Sequence, residues 1–273
     1  MKNNLNLIDQ NFYDQLQNQF YASIPFPCDA LRIEEVMIAF FKFLEEPEHI
    51  KNHIDFTVSP IHRRGDVGFK HRDPNDHMYN DSKDFFHFHP AIFENYPDFL
   101  QQHPVVNDFM LKAMPIWDLV YDTIGQILNY FEPENNGLSS KVFDVEMPHI
   151  VLRFLKYNWD ESGKYLAKPH FDAGSFTLGI AESCPGLRIG SNPENLKLVE
   201  HKENHAIFMI SSNFRKIMNN EDLLPGWHDV IQLDESYIGK PFARWAIVAF
   251  IEADGVEALP RSETRKYYIP DVA

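Results

Sequence analysis

The chain has 273 residues, with 25 Lys+Arg against 40 Asp+Glu, a formal net charge of -15. That sign argues against nucleic acid and anionic membrane surfaces as partners, because both need clustered positive charge. An apolar fraction of 44%, with 23 Phe, excludes a disordered chain and implies a large packed core. The two cysteines, Cys28 and Cys184, form no CxxC, so a disulfide-stapled or Cys-rich zinc protein is excluded and two buried thiols are expected. The first residues lack an apolar leader core. The longest apolar run, Trp245 to Ile251, is far short of the roughly 20 residues a membrane span needs, so the expectation is a soluble, cytoplasmic protein.

In chain order, Leu31, Ile33, Val36, Met37, Phe40, Phe41 and Leu44 recur at helical spacing before Pro47 stops the pattern. From His53 to Pro90 the chain is rich in His, Asp, Arg and Asn without a period, which reads as long loops over one face. A second helix is predicted from Val106 to Phe131, with Pro104 near its start and Pro115 kinking or dividing it. From His149 the texture changes to short β-prone runs: His149 to Tyr157, Phe176 to Ala181, Leu187 to Gly190, Leu196 to Val199, Ala206 to Ser211, Asp229 to Leu233 and Phe242 to Ile251. Gly, Pro, Asn and Asp separate them, as in a sandwich or barrel. The expected organisation is a single domain over 1–273. A helix-rich part covers 1–148, a β core 149–252 and a C-terminal tail 253–273.

The sharpest local feature is Pro169-His170-Phe171-Asp172. Residues two apart on an extended chain face the same side, so His170 and Asp172 can offer an imidazole nitrogen and a carboxylate oxygen to one ion. Trp227-His228-Asp229 supplies a candidate third ligand in His228. Two histidines and a carboxylate on one face of a metal leave positions open for substrate and oxygen, the facial arrangement of non-haem Fe(II) oxygenases. Further along, Arg244 opens the most apolar strand of the chain. A cation there is costly unless paired, and its fixed fork suits a carboxylate held bidentately; the alternative is a strand-end Arg paired with a structural Glu or Asp.

With these residues in place, the chain resembles the isopenicillin N synthase-like family of Fe(II)- and 2-oxoglutarate-dependent oxygenases. The run from His170 to Leu178 is similar to the family's HxDxGxxTL motif, Leu152 to Tyr157 to the strand before the metal site, and Gly186-Leu187-Arg188-Ile189 to its GLQV strand. Ala206 to Ile210 with Asn219-Asn220 resembles the strand and helix leading to the second histidine. Asp81 to Phe86 is similar to a DxKE(F/Y)F segment, and Gly68-Phe69 to its GY. The resemblance implies a mainly β fold with helical additions: a double-stranded β-helix, or jelly roll, packed by N-terminal helices. It implies His170, Asp172 and His228 as ligands of Fe(II), Arg244 on the distal carboxylate of 2-oxoglutarate and Tyr157 near its other end. O2 and a small organic molecule would then be the substrates, with hydroxylation, desaturation or ring closure as the outcome.

The chain departs from the family at several positions. Arg244-Trp245-Ala246 stands where Arg-x-Ser is usual, His-Asp-Val where His-Arg-Val is common, and Asn213 where an Asp often is. The missing hydroxyl at 246 leaves open an isopenicillin N synthase-type oxidase, in which Arg244 grips the substrate and no 2-oxoglutarate is used. A non-catalytic metal-binding jelly roll is a third possibility. The histidines at 62, 71, 77, 87 and 89 invite a second metal site, but their Arg and Asp neighbours point to an exposed polar loop. Arg153 and Lys156 read as solvated or structural, Trp117 as core, and Cys184 as no nucleophile.

Overall fold

The computed structural model describes residues 8–59, 66–72, 82–158, 163–218, 220–237 and 239–256. In chain order the elements begin with α1 (Phe12–Gln19), β1 (Ala22–Pro25), α2 (Ala30–Leu44), α3 (Glu48–Lys51), β2 (Asp55–Phe56), β3 (Val67–Arg72) and β4 (Lys83–Phe88). Helices α4 (Ile92–Asn95), α5 (Pro97–Gln102), α6 (Pro104–Phe131) and α7 (Leu138–Phe143) follow. The remaining strands are β5 (Ile150–Tyr157), β6 (Tyr165–His170), β7 (Phe176–Glu182), β8 (Leu187–Gly190), β9 (Leu196–Leu198), β10 (His205–Ile210), β11 (Trp227–Ile231) and β12 (Arg244–Ile251).

Two antiparallel sheets face each other without closing into a barrel. The larger has the order β1-β10-β7-β12-β5-β4-β3-β2, and the smaller β6-β11-β8-β9. This is a jelly-roll core, mainly β with added helices, as the sequence leads one to expect. The stretch from His53 to Pro90 departs from that expectation: it contributes β2, β3 and β4 to the large sheet, with β4 zipped along β5. In β4 the buried side chains include Lys83 and His87, so composition there reports polar groups facing a site rather than solvent.

Helices α2 and α6 cover the outer face of the large sheet. Phe43 meets Phe86 edge-on with ring centroids 5.1 Å apart, and Phe109 meets Phe154 likewise at 5.0 Å. Such pairs add to the burial of large rings. Strand β5 is therefore covered on both sides, which explains its nearly continuous apolar sequence. Phe154 packs on the helices, whereas Arg153, Leu155 and Tyr157 face the space between the sheets. Pro115 does not divide α6, which runs unbroken past it. Proline removes the bond to the carbonyl four residues earlier, and that residue, Leu111, is exposed, where water can satisfy the oxygen. Among the described residues no helix is long and apolar enough to cross a membrane.

Candidate metal centre and its pocket

His170 ends β6, Asp172 lies just beyond it, and His228 sits on β11 directly opposite His170 in the strand register. The triad therefore draws on one loop and two paired strands of the small sheet. His170 Nε2 lies 3.8 Å from Asp172 Oδ1, and His228 Nε2 lies 3.6 Å from Asp172 Oδ2. The potential ligand atoms all fall within 4.8 Å of one another, and this is the one such cluster among the described residues.

Both imidazoles are fixed through their other nitrogen. His170 Nδ1 is 2.6 Å from the Lys168 carbonyl oxygen and His228 Nδ1 is 3.2 Å from that of Gly226. A carbonyl can only accept, so in each ring Nδ1 carries the proton and Nε2 presents its lone pair towards Asp172. The Thr177 hydroxyl donates to Asp172 Oδ2 at 2.7 Å and sits 2.9 Å from the Ser211 hydroxyl. Backbone bonds from Ser212 to Asp172 and from Asn213 to Gly174, both 3.0 Å, brace the turn between ligand and strand.

Burial and the neighbouring His228 push His170 down to about 3, so this ring is neutral. Burial opposes ionisation of Asp172 as well, but His228, His170 and the Thr177 hydroxyl outweigh it and hold the carboxyl below its usual range. For His228 burial is again the largest influence, yet the Asp172 carboxylate overcomes it and raises the ring. An anion clamped between two imidazoles behaves this way. Two neutral-capable imidazole nitrogens and one ionised carboxylate are the donor set that suits a divalent first-row metal.

The triad opens on a cavity of about 90 Å³ between the sheets, lined also by Lys83, Arg153, Tyr157, Thr177, Glu182 and Arg244. Tyr157, buried, pairs in register with Arg244 on one side and Lys83 on the other. Arg244 is also buried, but its guanidinium already has protein partners. Nε donates to the Cys184 carbonyl at 3.1 Å, and Nη2 is paired with the Glu182 carboxylate. A guanidinium has five N–H groups, so the remaining ones can still receive a carboxylate. Of the two alternatives raised for Arg244 from the sequence, the pairing with a glutamate is present, and the side chain also lines the cavity beside the His–Asp–His cluster.

A bulge places that glutamate. Gly179 pairs with Val248 and Ala181 with Ile247, leaving Ile180 over. Ile180 and Ala181 both pack against the helix-side core, and Glu182, opposite Ala246, turns into the cavity. Sequence reasoning missed Glu182 for this reason. It also underrated Arg153, which lines the cavity with its guanidinium carbon 4.8 Å from the Phe85 ring centroid and 4.3 Å from that of Phe250. The signal was available, since Arg153 shares the face of Tyr157 by simple alternation. Lys83 was legible only as one letter of the DxKE-like segment.

The remaining histidines form no second centre among the described residues. His87 and His89 are buried, which corrects the expected exposed loop. His87 accepts from Arg153 Nε at 2.7 Å and thereby orients it. His89 bridges the Pro148 carbonyl and the Ala91 N–H. His71 is exposed and pairs with Asp84 at 2.6 Å. His62 and His77, with Asn219 and Asp81 of the family-like segments, lie outside the described residues. Lys156 is structural, bound to Asp84 at 2.9 Å. Trp117 is core, its indole N–H on the Ile150 carbonyl. Cys28 is buried and its thiol pushed up to about 11 by that burial, whereas Cys184 is half-buried rather than buried; neither forms a disulfide.

No protein-family model matches the sequence, and no curated protein matches it by sequence. Solved structures do match by shape. A Neurospora crassa protein in complex with alpha-KG and thymine aligns with a TM-score of 0.65 at 18% identity, covering 91% of this chain and 82% of that one. A 2OG-Fe(II) oxygenase family protein of Caulobacter crescentus aligns at 0.65 and 17%, covering 90% and 81%. The Arabidopsis thaliana dioxygenase for auxin oxidation 1, as its 2-oxoglutarate complex, aligns at 0.64 and 16%, covering 94% of both chains. At such identities the likeness establishes the fold, and it extends over nearly the whole described chain.

Proposed function

We propose that this protein is an Fe(II)- and 2-oxoglutarate-dependent oxygenase that oxidises a small organic molecule with O2. The observation that carries this is the His170–Asp172–His228 cluster, with both Nε2 atoms directed to one carboxylate inside the fold that the 2OG-Fe(II) oxygenases share. His170, Asp172 and His228 would hold the iron. The iron and the oxo acid supply the O2 chemistry, activation of oxygen at the expense of oxidative decarboxylation. What this chain adds is position. Carbonyls of Lys168 and Gly226 fix the two imidazoles, Thr177 fixes the carboxylate, and Arg244 with Tyr157 would receive the co-substrate from the adjoining strands. The Phe85, Leu155, Val230 and Ala246 cluster supplies an apolar wall to that space, which strengthens charge-assisted bonds beside it.

Residues 1–273 form one oxygenase domain on this proposal, supported by the pairing of β1 to β4 into the same large sheet as the core strands. A cytoplasmic setting is supported by two thiols left unpaired.

The engaged Arg244 and the missing hydroxyl at Ala246 favour one second reading, an oxidase that takes all its electrons from the substrate and uses no 2-oxoglutarate. Anaerobic titration of Fe(II) into the purified protein should show one ion per chain, abolished in His170→Ala and in His228→Ala. Addition of 2-oxoglutarate should then produce a weak visible charge-transfer band and support O2 uptake. Undiminished iron in both variants would refute the metal site. Iron binding with no band and no uptake would move the assignment to the oxidase.

A further inference from the structure

We infer that Ser211 is a positioning residue for the metal ligand Asp172: its hydroxyl donates to Thr177, and that bond holds the Thr177 oxygen against the carboxylate. This role rests on the oxygenase reading above and extends the support of the ligand to β10, a strand that carries no ligand itself.

Which atoms have a hydrogen to give decides the direction of each bond. Thr177 Oγ1 lies 2.7 Å from Asp172 Oδ2 and 2.9 Å from Ser211 Oγ. A carboxylate that binds a metal is deprotonated and can only accept, so the single hydroxyl hydrogen of Thr177 goes to Asp172. It cannot serve the second contact as well. Ser211 is therefore the donor there, and Thr177 Oγ1 accepts through a lone pair. Among the described residues this is the one hydrogen bond of the Ser211 side chain. The order that results, Ser211 to Thr177 to Asp172, is a chain in which each hydroxyl polarises the next and strengthens the bond at its end.

The strands hold this order in place. Thr177 pairs with Met209 in the ladder between β7 and β10. Ser211 stands two residues past Met209, and its N–H donates to the Ser175 carbonyl at 3.0 Å, so the pairing runs on beyond the end of β10. Met209 and Ser211 consequently share the face of Thr177. Both hydroxyl residues are buried. Threonine carries a methyl and an oxygen on Cβ, and a different χ1 well would turn the methyl towards Asp172 in place of Oγ1. The bond from Ser211 selects the well that keeps the oxygen there.

The test is a double-mutant cycle on the full-length protein, read by thermal melts of the metal-free protein and by anaerobic titration with Mn(II). Ser211→Ala should lower Tm and weaken Mn(II) binding roughly threefold, less than Thr177→Val does, because the threonine keeps its own bond to Asp172. In Thr177→Val the Ser211 hydroxyl is left buried without its acceptor. Adding Ser211→Ala to that variant should therefore raise Tm and leave Mn(II) affinity unchanged. Ser211→Thr, which keeps a donor, should bind Mn(II) more tightly than Ser211→Val, which matches its shape without one. Equal affinities of that pair overturn the inference while the oxygenase reading stands. So does a loss of affinity from Ser211→Ala that is the same in both backgrounds, since Ser211 would then act independently of Thr177, and so does no loss in either. A wild type that takes up no stoichiometric Mn(II) overturns both readings. Should Ser211→Ala fail to fold, Ser211→Cys, close in size with a much weaker donor, carries the same comparison.

Discussion

Thr177→Val removes one hydroxyl and keeps the shape of a buried side chain, which isolates a single bond at the candidate metal centre. That bond is the 2.7 Å donation from Thr177 Oγ1 to Asp172 Oδ2, made from a strand interior with the residue 1% exposed. A hydrogen bond to a charged group is worth about 1.5 to 3 kcal/mol. Not all of this appears as metal affinity, because the bond exists before the metal arrives. What is lost is orientation: without Thr177 the carboxylate is still drawn to His228 at 3.6 Å but is free to turn its oxygens away from the open face. Loss of such outer partners lowers metal affinity by roughly 10 to 100-fold, or about 1.4 to 2.8 kcal/mol. The remaining pull of His228 places the expectation at the lower end, near tenfold. Thr177→Ser retains the donor and should stay within about threefold. Anaerobic Fe(II) or Mn(II) titration of the three proteins, with thermal melts to confirm intact folding, measures this. A Thr177→Val protein that folds and binds metal as tightly as wild type would refute the idea that this hydroxyl sets the ligand.

Two further expectations concern stability. Arg188 grips Asp229 in a fork, with Nε on Oδ1 at 2.8 Å and Nη2 on Oδ2 at 2.6 Å, and Asp229 is fully buried beside His228. Arg188→Met would leave a buried charge unpaired and should cost about 3 kcal/mol, lowering Tm by roughly 6 to 12 °C; a change under about 1 kcal/mol in denaturant melts would contradict it. His89, held near 4 mainly by burial, ionises at 6.5 when unfolded, so the unfolded chain binds more protons as the pH falls. Stability from this residue is complete above pH 6.5 and declines towards pH 4, by up to about 3 kcal/mol, because protonation at Nδ1 also ends its bond from the Ala91 N–H. His89→Gln should flatten the pH dependence of unfolding over that window, and an unchanged slope would show that another group carries it.

The parts of the fold legible in the sequence are those in which alternation and local pattern agree. The HxD run and the second histidine needed only their own residue types and the β-prone strands around them. Strands such as β5 and β12 announce themselves because both faces are buried. Strand β6 does not, since Lys168, Pro169 and a half-exposed edge dilute its pattern, and β4 hides its structural role behind Lys83, Asp84 and His87. The departure at 229, Asp where Arg is common, reads alone as a loss from the family pattern. The register shows it as half of a cross-strand pair, with Arg188 opposite Asp229 and supplying the buried carboxylate's counter-charge. Pairs between distant strands are invisible along the chain, because nothing local says which residues will be opposite one another.

Glu182 shows the same limit more sharply, and it bears on function. By strict alternation from Phe176, a residue at 182 falls on the side of Phe176, Leu178 and Ile180, which is the helix-packed core. A carboxylate there would meet only apolar groups and would cost several kcal/mol. One extra residue, Ile180, in the ladder between β7 and β12 reverses the phase, so that Glu182 faces Arg244 instead. The bulge therefore meets two electrostatic demands at once. It removes an anion from an apolar layer, and it gives a buried guanidinium its counter-charge. If Arg244 receives a carboxylate as proposed above, this arrangement lets it pass from an internal to an external partner without being left unpaired. On the proposed role of Arg244, its affinity for an incoming acid would then be a difference between two carboxylates, so Glu182→Gln should tighten 2-oxoglutarate binding to the Mn(II)-loaded protein several-fold, and weaker or unchanged binding would refute this.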